Sequence, residues 1–153
     1  VPRATVDVDL LVHLDKHQLD AFIERVRPDF YVSEVAAREA VTHGGMFNLI
    51  HLATGYKVDL HIAGDDPYEQ TKLARARPYP LADGETLRLA TPEDLVLSKL
   101  AWFRLGGERS ERQWKDAQGI LALNPDLDTG YMQRWADQLE LSGLLRRALE
   151  TLP

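Results

Sequence analysis

The chain has no cysteine. That excludes a disulfide scaffold and thiolate metal centres, and it fits a reducing compartment. No apolar run approaches the roughly 20 residues that a membrane-spanning helix needs, so a soluble, cytoplasmic protein with no membrane partner is expected. An excess of positive charge is also missing. Lys and Arg number 18 against 24 Asp and Glu, giving a formal charge of −6. A surface built broadly for polyanions needs clustered cations, so this balance leaves room only for a local basic patch. Internal repeats and low-complexity segments are absent too. The first residue is Val1 rather than Met, and "VPRATVDVDLLV" gives almost no lead before a patterned strand. The expectation is that native sequence is missing upstream.

What is present is an ordinary globular composition, 44% hydrophobic and 27% charged over 153 residues, enough to bury a core without staples. Thr5 to Val12 alternates as a strand, with Val6, Val8 and Leu10 on one face and Thr5, Asp7, Asp9 and Leu11 on the other. Asp15 is placed to cap a helix from Lys16 to about Arg27, and Ser33 a second one ending near His43-Gly44-Gly45. "MFNLIHLA" and "YKVDLHIA" flank Thr54-Gly55 and are expected to pair antiparallel. Asp65-Asp66-Pro67 opens a helix reaching about Arg75. "YPL" and "TLRLA" flank Ala82-Asp83-Gly84-Glu85 as a small hairpin. Thr91-Pro92-Glu93-Asp94 is a strong helix start, and Ser110, Asp128 and Ser142 open three more. Strands with interspersed helices, then a helical tail, make an α+β layout. The division expected is a core over 1–90 and a helical part over 91–153.

The two-residue period places Asp7 and Asp9 on one face of the first strand, about 6 to 7 Å apart. Lys57-Val58-Asp59-Leu60-His61 repeats the design, with Asp59 opposite the apolar Val58, Leu60 and Ile62. Single acids on a solvent face are unremarkable. Three of them in two strands are not, because Asp is depleted there. If the strands are neighbours, the crowding is costly unless cations neutralise it, and a pair of Mg²⁺ ions about 3.5 to 4 Å apart would do so.

"RATVDVDLLV", followed some fifty residues later by "YKVDLHI", resembles the nucleotidyltransferase superfamily that includes polymerase β. "TPEDLVLSKLAWFRLGGERSERQWKDAQGIL" further resembles its AbiEii-like branch, known from toxin–antitoxin and phage-defence systems. The resemblance covers roughly residues 3–123. It implies a mixed sheet with flanking helices and a helical C-terminal part. It also implies Mg²⁺ held by Asp7, Asp9 and Asp59, a nucleoside triphosphate substrate met by Arg3, Thr5 and Lys99, and catalytic positions for Lys99 and Asp116. The activity implied is transfer of a nucleoside monophosphate to an acceptor hydroxyl, with tRNA as a candidate acceptor and a cognate antitoxin as a candidate protein partner. One element departs from the pattern: no Gly-Gly or Gly-Ser turn precedes the Asp-x-Asp strand, and Gly44-Gly45 lies too late to replace it.

A helical wheel from Asp94 puts Lys99 between Leu95 and Trp102 on one side and Phe103 and Val96 on the other, in the middle of an apolar arc. An ammonium there must snorkel or meet an anion. Asp116 is an available partner, as a site residue or as half of a helix-joining ion pair. Arg104, Arg109, Arg112 and Lys115 cluster around one inter-helix loop, either as a solvated face or as a receptor for phosphate or RNA. Trp102, Trp114 and Trp135 sit at helical spacing and read as core, while His61 shares the face of Asp59 as a bystander. Two functions compete: Mg²⁺-dependent nucleotidyl transfer, and a catalytically inactive module of the same fold acting through a protein partner. The missing glycine turn favours the second. Retention of three uncompensated acids favours the first.

Overall fold

Short polar side chains placed just ahead of apolar-periodic segments set most element boundaries. In the computed structural model, which describes residues 7–152, Asp15 Oδ1 accepts from the backbone N–H groups of His17 and Gln18 at 2.8 and 2.9 Å, and Gln18 Oε1 accepts from the Asp15 N–H. That reciprocal box starts α1 (Lys16–Val26). Ser33 caps α2 (Glu34–His43), which ends at Gly44 with φ 69°. Asp66 caps α3 (Pro67–Arg75) through Tyr68 and Glu69. Thr91, Ser110 and Asp128 do the same for α4 (Pro92–Leu105), α5 (Glu111–Leu123) and α6 (Thr129–Gln138). Only α7 (Ser142–Glu150) begins without a side-chain cap. Arg3 and Thr5 lie outside the described residues.

The strands are β1 (Asp7–Val12), β2 (Phe30–Val32), β3 (Met46–His51), β4 (Lys57–Ile62), β5 (Arg77–Pro80) and β6 (Thr86–Leu89). The first four form one sheet in the order β1-β4-β3-β2. β1 runs parallel to β4, whereas β4 with β3 and β3 with β2 are antiparallel, so the sheet is mixed. β5 and β6 make a separate hairpin. This is an α+β architecture. No helix among the described residues is long and apolar enough to cross a membrane.

The chain divides into two compact units, Val1–Gln70 and Thr71–Pro153. In the first, Leu19, Ile23, Ala37 and Ala40 from α1 and α2 are buried with Phe47, Leu49 and Leu60 from β3 and β4. The helices thus cover one sheet face, and alternation sends the polar residues of each strand to the other. In the second unit α4 packs against α5, α6 and α7. Val96, Leu97, Leu100, Met132 and Leu145 are there almost wholly removed from water.

Candidate functional site

Register decides which side chains meet. Asp9 is the direct partner of Asp59 across the parallel β1–β4 pair, Asp7 that of Lys57, and Leu11 that of His61. On the other side of β4, Asn48 pairs with Asp59. Paired residues share a sheet face, so Asp7, Asp9, Asp59, Lys57, His61 and Asn48 all lie on the face opposite α1 and α2. The sequence placed the three carboxylates together by strand periodicity, and the structure sets Asp9 and Asp59 side by side.

Their surroundings differ sharply. Asp59 is only 8% exposed, so it is not a solvated strand acid. Its Oδ2 meets Lys57 Nζ at 3.0 Å, while Oδ1 is buried and has no hydrogen-bond partner among the described residues. The Asp9 side chain is 71% exposed and turns Oδ1 to His61 Nε2 at 3.5 Å. His61 thus lies beside Asp9, and it carries a charge only when protonated. The hydrogen bond and charge of Asp59 hold the Lys57 ammonium above the usual lysine range.

Mg²⁺ is the ion the resemblance implies for these acids. An all-oxygen donor set suits it, and the unpartnered Asp59 Oδ1 is an open coordination position. The arrangement does not suit it. Among the described residues no group of three His, Cys, Asp or Glu could hold a metal, because Lys57 occupies one oxygen of Asp59 and Asp9 faces His61 instead of a shared point.

Lys99 lies at the border of its helix's buried arc rather than in its middle. Leu95 and Trp102, counted as apolar flank, are 40% and 49% exposed, and the buried side of α4 is Glu93, Asp94, Val96, Leu97, Leu100 and Phe103. Trp102 is thus not core. Lys99 Nζ meets Asp116 Oδ2 at 3.4 Å, joining α4 to α5 within the second unit. Of the basic cluster, Arg104 is committed to the C-terminus of α6, donating to the carbonyls of Leu139 and Glu140 and to the Glu140 carboxylate. Lys115 pairs with Glu111.

A second acidic constellation escaped the sequence reading. Asp94 is fully buried, accepting from Tyr131 Oη at 2.6 Å on Oδ1 and from Thr91 Oγ1 at 2.8 Å on Oδ2. Arg75 bridges Asp94 and Glu93, each at 3.4 Å, and lies 3.8 Å over the Tyr131 ring. Burial pushes Glu93 up. Hydrogen bonds from its own backbone N–H, the Asp128 N–H and Thr91, with the charge of Arg75, outweigh burial and hold it below the usual range. Burial and the bond to Asp94 raise the Tyr131 hydroxyl far above its ordinary value.

No family model and no curated protein matches the chain. Among solved structures it is similar to an antigenic nucleotidyltransferase-like protein from Paracoccidioides brasiliensis, with a TM-score of 0.50 and 20% identity over 95% of this chain and 75% of that one. At that identity the likeness speaks for the fold alone. The fold is nucleotidyltransferase-like, with a mixed sheet and flanking helices.

Proposed function

We propose that this chain is a nucleotidyltransferase-fold module that acts through a protein partner, in the manner of a toxin-like component with a cognate antitoxin, and does not itself transfer nucleotide. The observation that carries this reading is the Lys57 ammonium 3.0 Å from Asp59, the buried acid of this face. An inactive descendant is expected to shed uncompensated carboxylates, but Asp59 has Lys57 and Asp9 stands mostly in water, so the acids are tolerable without a metal. Titration calorimetry of the chain with Mg²⁺ and nucleoside triphosphates, together with labelled-nucleotide transfer into total tRNA, tests it. No Mg²⁺-dependent nucleotide binding and no transfer are expected. Transfer abolished by Asp9→Ala would overturn the proposal.

A second reading rests on the register of Asp9 with Asp59 and on the unpartnered Asp59 Oδ1. It is Mg²⁺-dependent transfer of a nucleoside monophosphate to an acceptor hydroxyl, with the acceptor at a tRNA end as in the AbiEii-like branch. There Asp7, Asp9 and Asp59 would have to leave Lys57 and His61 and turn to one point to hold the metal, Lys99 oriented by Asp116 would offset phosphate charge, and Arg3 and Thr5 would face the nucleotide.

A further inference from the structure

The partner-dependent reading leaves open where a partner binds, and β1 offers a surface whose chemistry specifies the answer. Among the described residues β1 is a terminal strand of its sheet, so alternate N–H and C=O groups along Asp7–Val12 face away from β4. Its two faces are unlike. Val8 and Leu10 point to the side that α1 and α2 cover elsewhere, yet they are 52% and 37% exposed, and only Val12 of this strand packs against the buried cluster. Val58 and Leu60, their partners on β4, are in or against that cluster. The opposite face presents Asp7, which lies beside Lys57 in the register, and the largely exposed Asp9, which meets His61 Nε2 at 3.5 Å. Natural edge strands are blunted by charged side chains, by proline or by a bulge. β1 has neither lysine nor proline, and its only charges are Asp7 and Asp9, so what guards this edge is negative and a basic strand is not repelled by it.

We infer that β1 is a docking edge for an extended segment of a protein partner, one that alternates aliphatic with basic residues. Added beside β1, such a segment continues the ladder through its backbone. Its aliphatic side chains cover Val8 and Leu10, and its lysines or arginines lie beside Asp7 and Asp9 on the other face. Charge selects this occupant over a second copy of the chain, because β1 paired with another β1 sets aspartates against aspartates. The site deepens the partner-dependent reading and rests on it for its biological role.

The test uses a short peptide alternating lysine and valine, with binding read by fluorescence anisotropy. Three controls accompany it: the glutamate–valine counterpart, a scrambled peptide of equal charge, and the lysine–valine peptide N-methylated at every second amide. Binding is expected for the first alone. Val8→Lys and Leu10→Lys are expected to weaken it at least about tenfold, with Val8→Thr as a milder variant that keeps strand propensity. Because both residues are exposed, the unliganded variants should melt where the parent chain does. Equal binding of the N-methylated or scrambled peptide, undiminished binding by the variants, or no binding at all would overturn the inference. So would a dimer in sedimentation that the same substitutions abolish, or a marked fall in Tm of the lone variants, since either means that another surface already covers the strand. Nucleotide transfer by a chain that still binds the peptide defeats the partner-only reading and leaves the edge standing. Absence of both transfer and peptide binding does the reverse.

Discussion

The molecule concentrates carboxylates in two places and treats them differently. In the second unit, Asp94 and Glu93 are buried and bonded within the unit: Tyr131, Thr91, Arg75 and the Asp128 N–H meet them from two helices and two caps. In the first unit, Asp59 is nearly as buried but leaves Oδ1 without a partner, and Asp9 stands mostly in water. A satisfied buried acid ties elements together. An unsatisfied one carries a desolvation cost that only a ligand, a partner or a compensating neighbour relieves. The difference separates acids whose bonds join elements of the fold from acids that tie nothing together.

The comparison breaks most visibly if the knot in the second unit is cut. Asp94→Ala strands the Arg75 guanidinium, the Tyr131 hydroxyl and the Thr91 hydroxyl together, and removing one member of a buried pair costs about 3 to 5 kcal/mol. Since Arg75 is itself 31% exposed, the low end of that range is expected. Urea denaturation should show it as a fall in midpoint. Asp59→Asn should behave oppositely. It removes a buried charge whose Oδ1 has no bond to lose and whose Oδ2 gives up only its ion pair with the 37% exposed Lys57, so stability is expected to stay within about 1 kcal/mol of the parent. A loss as large as that of Asp94→Ala would show that both constellations are structural, and the contrast would vanish.

Acid and alkali sharpen the same contrast from opposite ends. Glu93 is held below the usual glutamate range when folded. Its contribution is therefore complete above the unfolded glutamate pKa and is lost as pH falls through the lower folded value. Lys57 is held above the usual lysine range, so its contribution is complete below the unfolded lysine pKa and disappears as pH rises through the raised one. Melting curves across pH should then show a shallower acid limb in Glu93→Gln and a shallower alkaline decline in Lys57→Met, with the Tyr131 hydroxyl, also held above its ordinary value, sustaining the rest of that decline. Unchanged limbs in either variant would remove that group from the account.

Much of this was legible because it is local. Asp15, Ser33, Thr91, Ser110 and Asp128 announce their helices within four residues, and a period of two set Asp7, Asp9 and Asp59 opposite apolar neighbours before any strand was paired. β2 was missed because three residues, Phe30–Val32, are too few to show a period. The burial of Asp94 was missed for the converse reason. At the start of a helix it reads as a dipole-compensating acid, and its partners Arg75 and Tyr131 lie 19 and 37 positions away. The arc on α4 misled because Leu95 and Trp102 are apolar yet exposed, and composition alone does not say which half of an all-round apolar helix faces inward. The approach of His61 to Asp9 was half legible: His61 repeats the face of Asp59 two residues on, but only the parallel pairing of β1 with β4 brings Asp9 within reach.

The smallest expected effect concerns Lys99, which belongs to neither constellation. Its ammonium meets Asp116 at 3.4 Å, and both side chains keep about a quarter of their surface in water, 28% and 24%. An ion pair that well solvated is worth under about 1 kcal/mol, because water already stabilises each partner and two side chains must be held to join them. Lys99→Met preserves the stem that lines the border of the buried arc and removes only the charge. Its midpoint in urea should thus stay close to that of the parent chain, with Asp116→Asn equally mild and the double variant no worse than the sum of the two. In the partner-dependent reading nothing else changes. In the transferase reading the same substitution, fold intact, must lower the transfer rate steeply, since a group that offsets phosphate charge acts on the reaction and not on stability. A midpoint loss comparable to that of Asp94→Ala would instead make the Lys99–Asp116 pair a third structural tie between helices, and would remove Lys99 from either functional account.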